Sequence, residues 1–451
     1  MTDDERAQPM TGTIPTATGL IPIPTGLVPV SDRVRAASHE TTTIQIGDRF
    51  SRTRRLVYVI LLGALTALGP FTIDMYLPAF PALEADFDTT EAVVQLTLTG
   101  TMVGFAVGQL VIGPLSDRWG RRVPLLVSTG VHILASTVAI FAPSLESLGI
   151  ARVLMGIGAA GSGVIAMAMV RDLFGGRRLV VMLTRLALVT GLAPVVAPLV
   201  GSLLLEMIAW RGLFAVLAGY GITILGCAIF VLPETRPFDD RVSAGSVSVR
   251  HRYRVVFSDR VYVGVLVIGA MTFSGVLSYL SSSSFVFQVQ YGLTPIQYGV
   301  VFAANSIGVI VGNQIAGRVA IRSGPHRVLA FSTAALLVTA VAIPVCAALI
   351  PTVWGVIVPV FLFMTSCGLI FPCAQVLALD RHPDAAGTAA SVLGAANNGV
   401  AGLVAPLAGL VSVSGDATPL SMASIMIVCA VVGILALWLI VRPGRLGALR
   451  G

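Results

Sequence analysis

The chain has 451 residues, 55% hydrophobic and only 11% charged, against roughly 25% charged in soluble domains, which argues against an ordinary globular protein. All 29 basic residues are arginine and the net charge is +7, yet they fall in short gaps between apolar runs, a pattern that excludes nucleic acid as the partner and fits a lipid bilayer. The five cysteines (Cys227, Cys346, Cys367, Cys373, Cys429) lie inside apolar runs without metal-ligand spacing, and no two histidines make a site, so no metal is expected.

Residues 1–54 are rich in Thr, Pro and charge, open on MTDDER and lack the features of a secretory signal. They read as a disordered cytoplasmic tail. The stretch TGTIPTATGLIPIPTGLVPV is too proline-dense for a helix or central strand and reads as passive, with a partner-binding motif as the alternative. Twelve spans follow, near 56–80, 92–112, 123–141, 147–170, 179–205, 212–232, 261–289, 298–317, 328–350, 353–379, 387–412 and 419–441. The expected fold is an all-α integral membrane protein of twelve transmembrane helices. Two pseudo-symmetric six-helix bundles (55–232 and 261–441) are joined by a cytoplasmic linker (233–260) and followed by a tail (442–451). With the N-terminus in the cytoplasm, 26 of the 29 arginines lie in cytoplasmic segments, Arg152 and Arg185 lie inside spans, and Arg211 alone falls outside. This places both termini in the cytoplasm of a multi-pass plasma (inner) membrane protein.

In the first span, Asp74 is the only carboxylate within a span under this placement. A charge at the bilayer centre costs about 2.5–3.5 kcal/mol on insertion scales, so the group needs a water-filled cavity, a cation or a proton. The alternative is a helix-end Asp among the headgroups, if Pro78 and Pro81 end the span early. Between spans two and three, GPLSDRWGRR offers Gly113 and Gly120 for a tight turn, with Asp117, Arg118, Arg121 and Arg122 for charge-assisted bonds. A solvated, topology-setting loop is the alternative. Arg152 sits about one and a half turns into span four beside a glycine-rich face, unless it snorkels to an interface.

Gly156, Gly158 and Gly161 spell GxGxxG, but within an apolar span rather than after a strand, so they serve close helix packing and not a dinucleotide. Arg185 reads as snorkelling. In span five, Gly191, Pro194, Pro198 and Gly201 interrupt backbone hydrogen bonding that water or neighbouring helices must restore. Polar residues on apolar spans (Tyr76, Gln109, Tyr279, Gln288, Asn305, Gln375, Asn397, Asn398) are candidates to line a cavity for amphipathic cargo, with bonding between helices as the alternative.

The two halves repeat. Gly104, Gly108, Gly113, Arg118 and Gly120 recur as Gly308, Gly312, Gly317, Arg322 and Gly324, and the APLVG at Ala197 returns as APLAG at Ala405. Parallel six-helix repeats put a binding site between the halves near the midplane.

The signature G-x-x-x-D-R-x-G-R-R in the second loop of a twelve-span chain resembles that of the major facilitator superfamily. TIDMYLPAFPAL, ARVLMGIGAA with MVRDLF, LPET, the SSSSFVFQVQYGLTPIQYGVVFAANSIG stretch and AGTAASVLGAANNGVAGLVAPL extend the likeness over nearly the whole chain after residue 54. Together they resemble the Bcr/CflA branch of bicyclomycin and chloramphenicol resistance exporters. The resemblance implies a drug:proton antiporter working by alternating access on small amphipathic drugs as a monomer, with the proton gradient in place of any cofactor. It implies that Asp117, Arg118, Arg121 and Arg122 latch the halves on the cytoplasmic side in the outward-open state, although Ile321 stands where the repeat would need a second Asp. By the same likeness Asp74 carries the coupling proton, Arg152 assists it from the central cavity, and Gly191, Pro194, Pro198 and Gly201 form an antiporter motif. A dedicated metabolite exporter or a proton symporter of the same fold is the alternative. An intramembrane enzyme is remote, since HExxH, GxSxG and P-loop patterns are absent.

Overall fold

A computed structural model of the chain describes residues 50–236, 249–382, 386–404, 407 and 418–442. Most of the expected tail, and the APLAG repeat apart from residue 407, lie outside the described residues. Helix α1 (Arg52–Asp74) opens on Ser51, whose hydroxyl accepts the Arg54 N–H at 3.2 Å. Phe50 is buried ahead of it against Tyr58 and Phe174, with ring centroids 5.0 and 6.3 Å away. The first bundle therefore starts near residue 50 rather than 55, because a helix cap and an aromatic anchor both lie in what reads as tail.

The first span is not one helix to residue 80. α1 ends at Asp74, a 3-10 turn covers Leu77–Ala79, and α2 runs Phe80–Asp86. Pro78 and Pro81 lack the N–H that would continue α1, and each sits in the first turn of the element it opens. Then come α3 (Glu91–Trp119), α4 (Arg122–Ile140), α5 (Leu145–Leu173), α6 (Gly176–Leu205) and α7 (Trp210–Val231). The linker holds a helix of its own, α8 (Val249–Ser258). The second half comprises α9 (Arg260–Ser284), extended by a π turn to Gln290, α10 (Pro295–Ser323), α11 (Pro325–Leu349), α12 (Trp354–Leu379), α13 (Ala386–Val404) and α14 (Pro419–Leu435), extended to Val441.

Among the described residues, 11 helical segments are long and apolar enough to cross a membrane, counting α1 and α2 as one. α13, 19 residues at the place of the eleventh expected span, makes the twelfth helix. Phe141, Phe230, Phe331 and Trp438 are exposed on the outside, as suits helices solvated by lipid. Lipid tails are as apolar as leucine, so helices associate through small residues that let backbones approach closely. A Cβ on Gly104 would lie 2.1 Å from the Val153 carbonyl oxygen, and one on Gly156 2.2 Å from that of Thr101, which locks α3 to α5. The second half repeats this, with a Cβ on Gly312 2.1 Å from the Thr365 carbonyl, locking α10 to α12.

α3 and α10 are each 29 residues, and each stops at a glycine with positive φ, Gly120 (93°) and Gly324 (80°), a conformation a side chain would strain. In the first half α5 packs on α3, α4 and α1, while α4 packs on α7 and α1 on α6. The second half builds likewise around α12 and α9. The halves meet along two pseudo-symmetric seams, α3 with α13 and α6 with α10.

Candidate functional site

A cavity of about 1720 Å³ lies between the halves. Thr66, Phe105 and Gln109 line it from the first half and Thr388, Ser391 and Gly394 from the second, and it reaches the surface between Arg118, Arg171 and Tyr253, at the end of the molecule carrying the Gly113–Arg122 loop. At the opposite end the halves are closed on each other. Pro198 has no N–H, so the Pro194 carbonyl four residues back lacks its helical partner, and Ser306 of α10 donates to it at 3.3 Å. A Cβ on Gly299 of α10 would lie 2.6 Å from Ser202 Oγ, and one on Gly201 of α6 2.1 Å from the Met75 carbonyl. Gln288 Nε2 donates across the halves to the Pro78 carbonyl at 3.1 Å. The Gly191–Gly201 motif thus lies on the seam where α6 meets both α10 and the break after α1.

The polar candidates divide. Gln109 lines the cavity, and Asn398 Nδ2 approaches its Oε1 at 3.4 Å from the other half. Asn397 turns toward Gly269. Gln288 borders a small groove of about 360 Å³ at the closed end. Tyr76, Tyr279 and Asn305 are buried away from the cavity wall, with Asn305 Nδ2 donating to the Tyr279 hydroxyl at 2.8 Å, and Gln375 is exposed. Those four therefore do not line the cavity in this conformation. A polar residue on an apolar helix reveals its depth but not its face, because each step turns the helix by about 100°.

Asp74 ends α1 at the break and is 5% exposed. It makes no hydrogen bond or ion pair with the described residues. It lies near enough to Tyr279 and Tyr298 of the second half to interact with them electrostatically. Arg152 is fully buried inside the first half, with Nη1 donating to the Thr72 carbonyl at 2.7 Å and its guanidinium 4.4 Å from the Tyr76 ring. Arg152 does not snorkel, does not line the cavity and does not touch Asp74. It holds the residue two positions before it. Arg185 is exposed, as snorkelling requires.

The signature loop forms an ionic network. Arg121 Nη1 lies 2.8 Å from Asp117 Oδ1 and its Nε 2.9 Å from Asp172 Oδ2, while Arg236 Nη1 lies 2.9 Å from the same Asp117 oxygen. Arg121 gives α4 no side-chain cap. Instead the Glu234 carboxylate accepts the N–H groups of Arg121 (2.8 Å) and Arg122 (3.2 Å), serving the positive end of the α4 dipole from just beyond the end of the neighbouring α7. Arg122 Nη2 donates to the Ile229 carbonyl at 2.7 Å, and Arg118 stands exposed on the cavity rim. Among the described residues these partners belong to the first half and the start of the linker, so the bonds given tie α3, α4, α5 and α7 to the linker's first residues. Ile321, the repeat of Asp117, is 88% exposed. Asp172, Glu234 and Arg236 were not singled out from sequence, although MVRDLF and LPET carry the first two. Arg211, the exception to the charge rule, pairs with Asp86 at 2.7 Å and stacks on Trp210 at 4.2 Å.

The Major Facilitator Superfamily profile matches residues 62–406. The chain belongs to the major facilitator superfamily. It is similar to an uncharacterized MFS-type transporter, YdgK, of Bacillus subtilis (33% identity, 85% of this chain and 94% of that one). It is also similar to a bicyclomycin resistance protein homolog of Haemophilus influenzae (28%, 84% and 95%) and to multidrug resistance protein D of Escherichia coli (28%, 81% and 91%). The fold matches the solved structure of a D-xylose-proton symporter with a TM-score of 0.69 at 14% identity, over 87% of this chain and 98% of that one. This major facilitator is a multi-pass membrane protein.

Proposed function

We propose that this facilitator exports small amphipathic drugs across the plasma membrane in exchange for protons, as a monomeric carrier without catalytic chemistry or cofactor. Relatives named for drug resistance support the cargo class. The arginine bias supports a cytoplasmic loop end, which makes the open cavity inward-facing. Asp74 carries the reading of proton coupling: a carboxyl buried near the seam, with no hydrogen bond or ion pair among the described residues, is placed to change its solvent access when the halves rock. A proton held in one state and released in the other links drug movement to the gradient. The test is drug accumulation by proteoliposomes under an imposed pH gradient. Wild type builds a drug gradient and Asp74→Asn does not, while drug binding stays within about threefold, since the cavity walls are unaltered. An Asp74→Asn protein that still pumps uphill removes Asp74 from the mechanism.

A further inference from the structure

We infer that His132 is a positioning residue for coupling, a second clamp on the turn of α1 that presents Asp74; this rests on the reading of Asp74 as the coupling carboxyl. His132 lies in the middle of α4 and is fully buried, with Nε2 2.8 Å from Thr72 Oγ1. The Thr72 hydroxyl has one hydrogen and donates it to the Leu68 carbonyl at 2.6 Å. It can only accept from the ring, so the bridging hydrogen is on Nε2. Among the described residues, Nδ1 is buried without a partner.

Thr72 is therefore gripped twice. Its carbonyl, among the last-turn oxygens that a helix leaves without helical partners, takes Arg152 of α5, and its hydroxyl oxygen takes His132 of α4. Glycines let the neighbouring helices come close to it. A Cβ on Gly158 of α5 would lie 2.8 Å from His132 Cβ, and one on Gly221 of α7 3.7 Å from Nδ1. The charged group that acts on it is Arg152 on α5; Asp74 follows two residues after Thr72 on α1, and Tyr220, next to Gly221 on α7, donates its hydroxyl to the Ala64 carbonyl at 2.9 Å. α3 carries no ionisable group between positions 92 and 116.

The consequence is mechanical. α1 ends two residues after Thr72, and the chain beyond is a short turn wedged against α6 and the second half. When the halves rock, the double grip carries Asp74 with the first half and away from Tyr279 and Tyr298. Without the His132 clamp Arg152 is the one side chain from another helix still bonded to Thr72 among the described residues, and Asp74 exchanges protons in step with local fraying rather than with the halves.

The experiment uses the full chain in two formats. In pyranine-loaded proteoliposomes, proton entry is measured with and without chloramphenicol as the probe; in detergent, maleimide labelling at Asp74→Cys is followed by peptide mass spectrometry. Losing one buried hydrogen bond corresponds to about a fivefold change in an equilibrium. His132→Leu and Thr72→Val are expected to raise drug-independent proton entry, and labelling at position 74, about fivefold. His132→Gln, whose amide nitrogen can replace the Nε2 donor, and Thr72→Ser stay within about twofold of wild type. Wild-type behaviour of both His132→Leu and Thr72→Val overturns the inference, and so does equal loss in His132→Gln and His132→Leu, which makes ring volume the property that matters. If His132→Leu does not fold, Thr72→Val decides. If wild type moves no protons with the probe, the coupling reading fails there, and labelling still decides whether His132 holds the helix end.

Discussion

Arg152 is a buried cation whose work is geometric. Its planar group meets the Thr72 carbonyl edge-on and the Tyr76 ring face-on, and Tyr76 in turn hydrogen-bonds Thr97 of α3 at 3.0 Å. Lysine keeps the charge but cannot do both at once. Arg152→Lys is therefore expected to lower uphill transport at least tenfold while the protein remains folded. Arg152→Gln is expected to cost a further 1–3 kcal/mol or so of stability, through a carbonyl and a ring left without the cation. Transport by both variants, with thermal unfolding in detergent, checks this; an Arg152→Lys protein with wild-type transport shows that a point charge suffices. From sequence, Asp74 and Arg152 stand out because ionised groups are rare in spans. That Arg152 and His132 both bond Thr72, and neither bonds Asp74, depends on helix rotation, which no residue type reports.

Helix packing makes sharper forecasts than helix presence. Gly156 and Gly163 belong to the same helix, yet a Cβ on Gly156 would strike the Thr101 carbonyl at 2.2 Å, whereas one on Gly163 meets nothing within 4 Å. Gly156→Ala should destabilise by roughly 1–3 kcal/mol or more, because backbone must move, while Gly163→Ala should be neutral or slightly stabilising. Thermal unfolding of the two side by side separates them, and equal midpoints would refute the close contact. At the start of α9, Asp259 caps the Val261 N–H at 2.9 Å and takes Arg381 Nε at 2.5 Å. Burial pushes this carboxyl up, but the bonds from Arg381 and Val261 and the guanidinium charge outweigh it and leave the group below its ordinary value. A group so lowered adds stability above the unfolded carboxyl's value of about 3.9 and loses it as pH falls through the folded value. Asp259→Ala should cost about 1 kcal/mol at pH 7, with the difference from wild type shrinking below about pH 4. A pH-independent difference would leave the ion pair without a role.

The closed end of the molecule is held by close contact more than by charge. Gly299 sits on Ser202 and Pro198, so a large side chain there wedges α6 from α10. Gly299→Leu is expected to shift the population away from the cavity-open form and to reduce labelling of Ser391→Cys at the cavity wall about fivefold or more, the factor for a 1 kcal/mol bias. Unchanged labelling would mean that the seam tolerates the wedge. Asp117→Asn should cost under about 1 kcal/mol in this form, because the carboxylate is 45% exposed and its partners Arg121 and Arg236 leave it open to solvent screening.

By itself the sequence determined the membrane, the twelve-helix plan, the repeat and the family. Apolar length, arginine bias, glycine spacing and the signature loop are properties of consecutive residues, and lipid leaves the backbone little choice but helix. What only the tertiary structure decided is which groups meet. The signature arginines bind Asp172 in their own half and Glu234 at the start of the linker, Tyr279 and Asn305 sit behind the cavity wall, and α1 breaks at the residue expected to carry the proton. Each outcome depends on the rotation of one helix against another and on which seam between two similar halves is closed. Those are set by contacts between residues tens to hundreds of positions apart, through the few ångströms that a glycine or a proline-freed carbonyl allows.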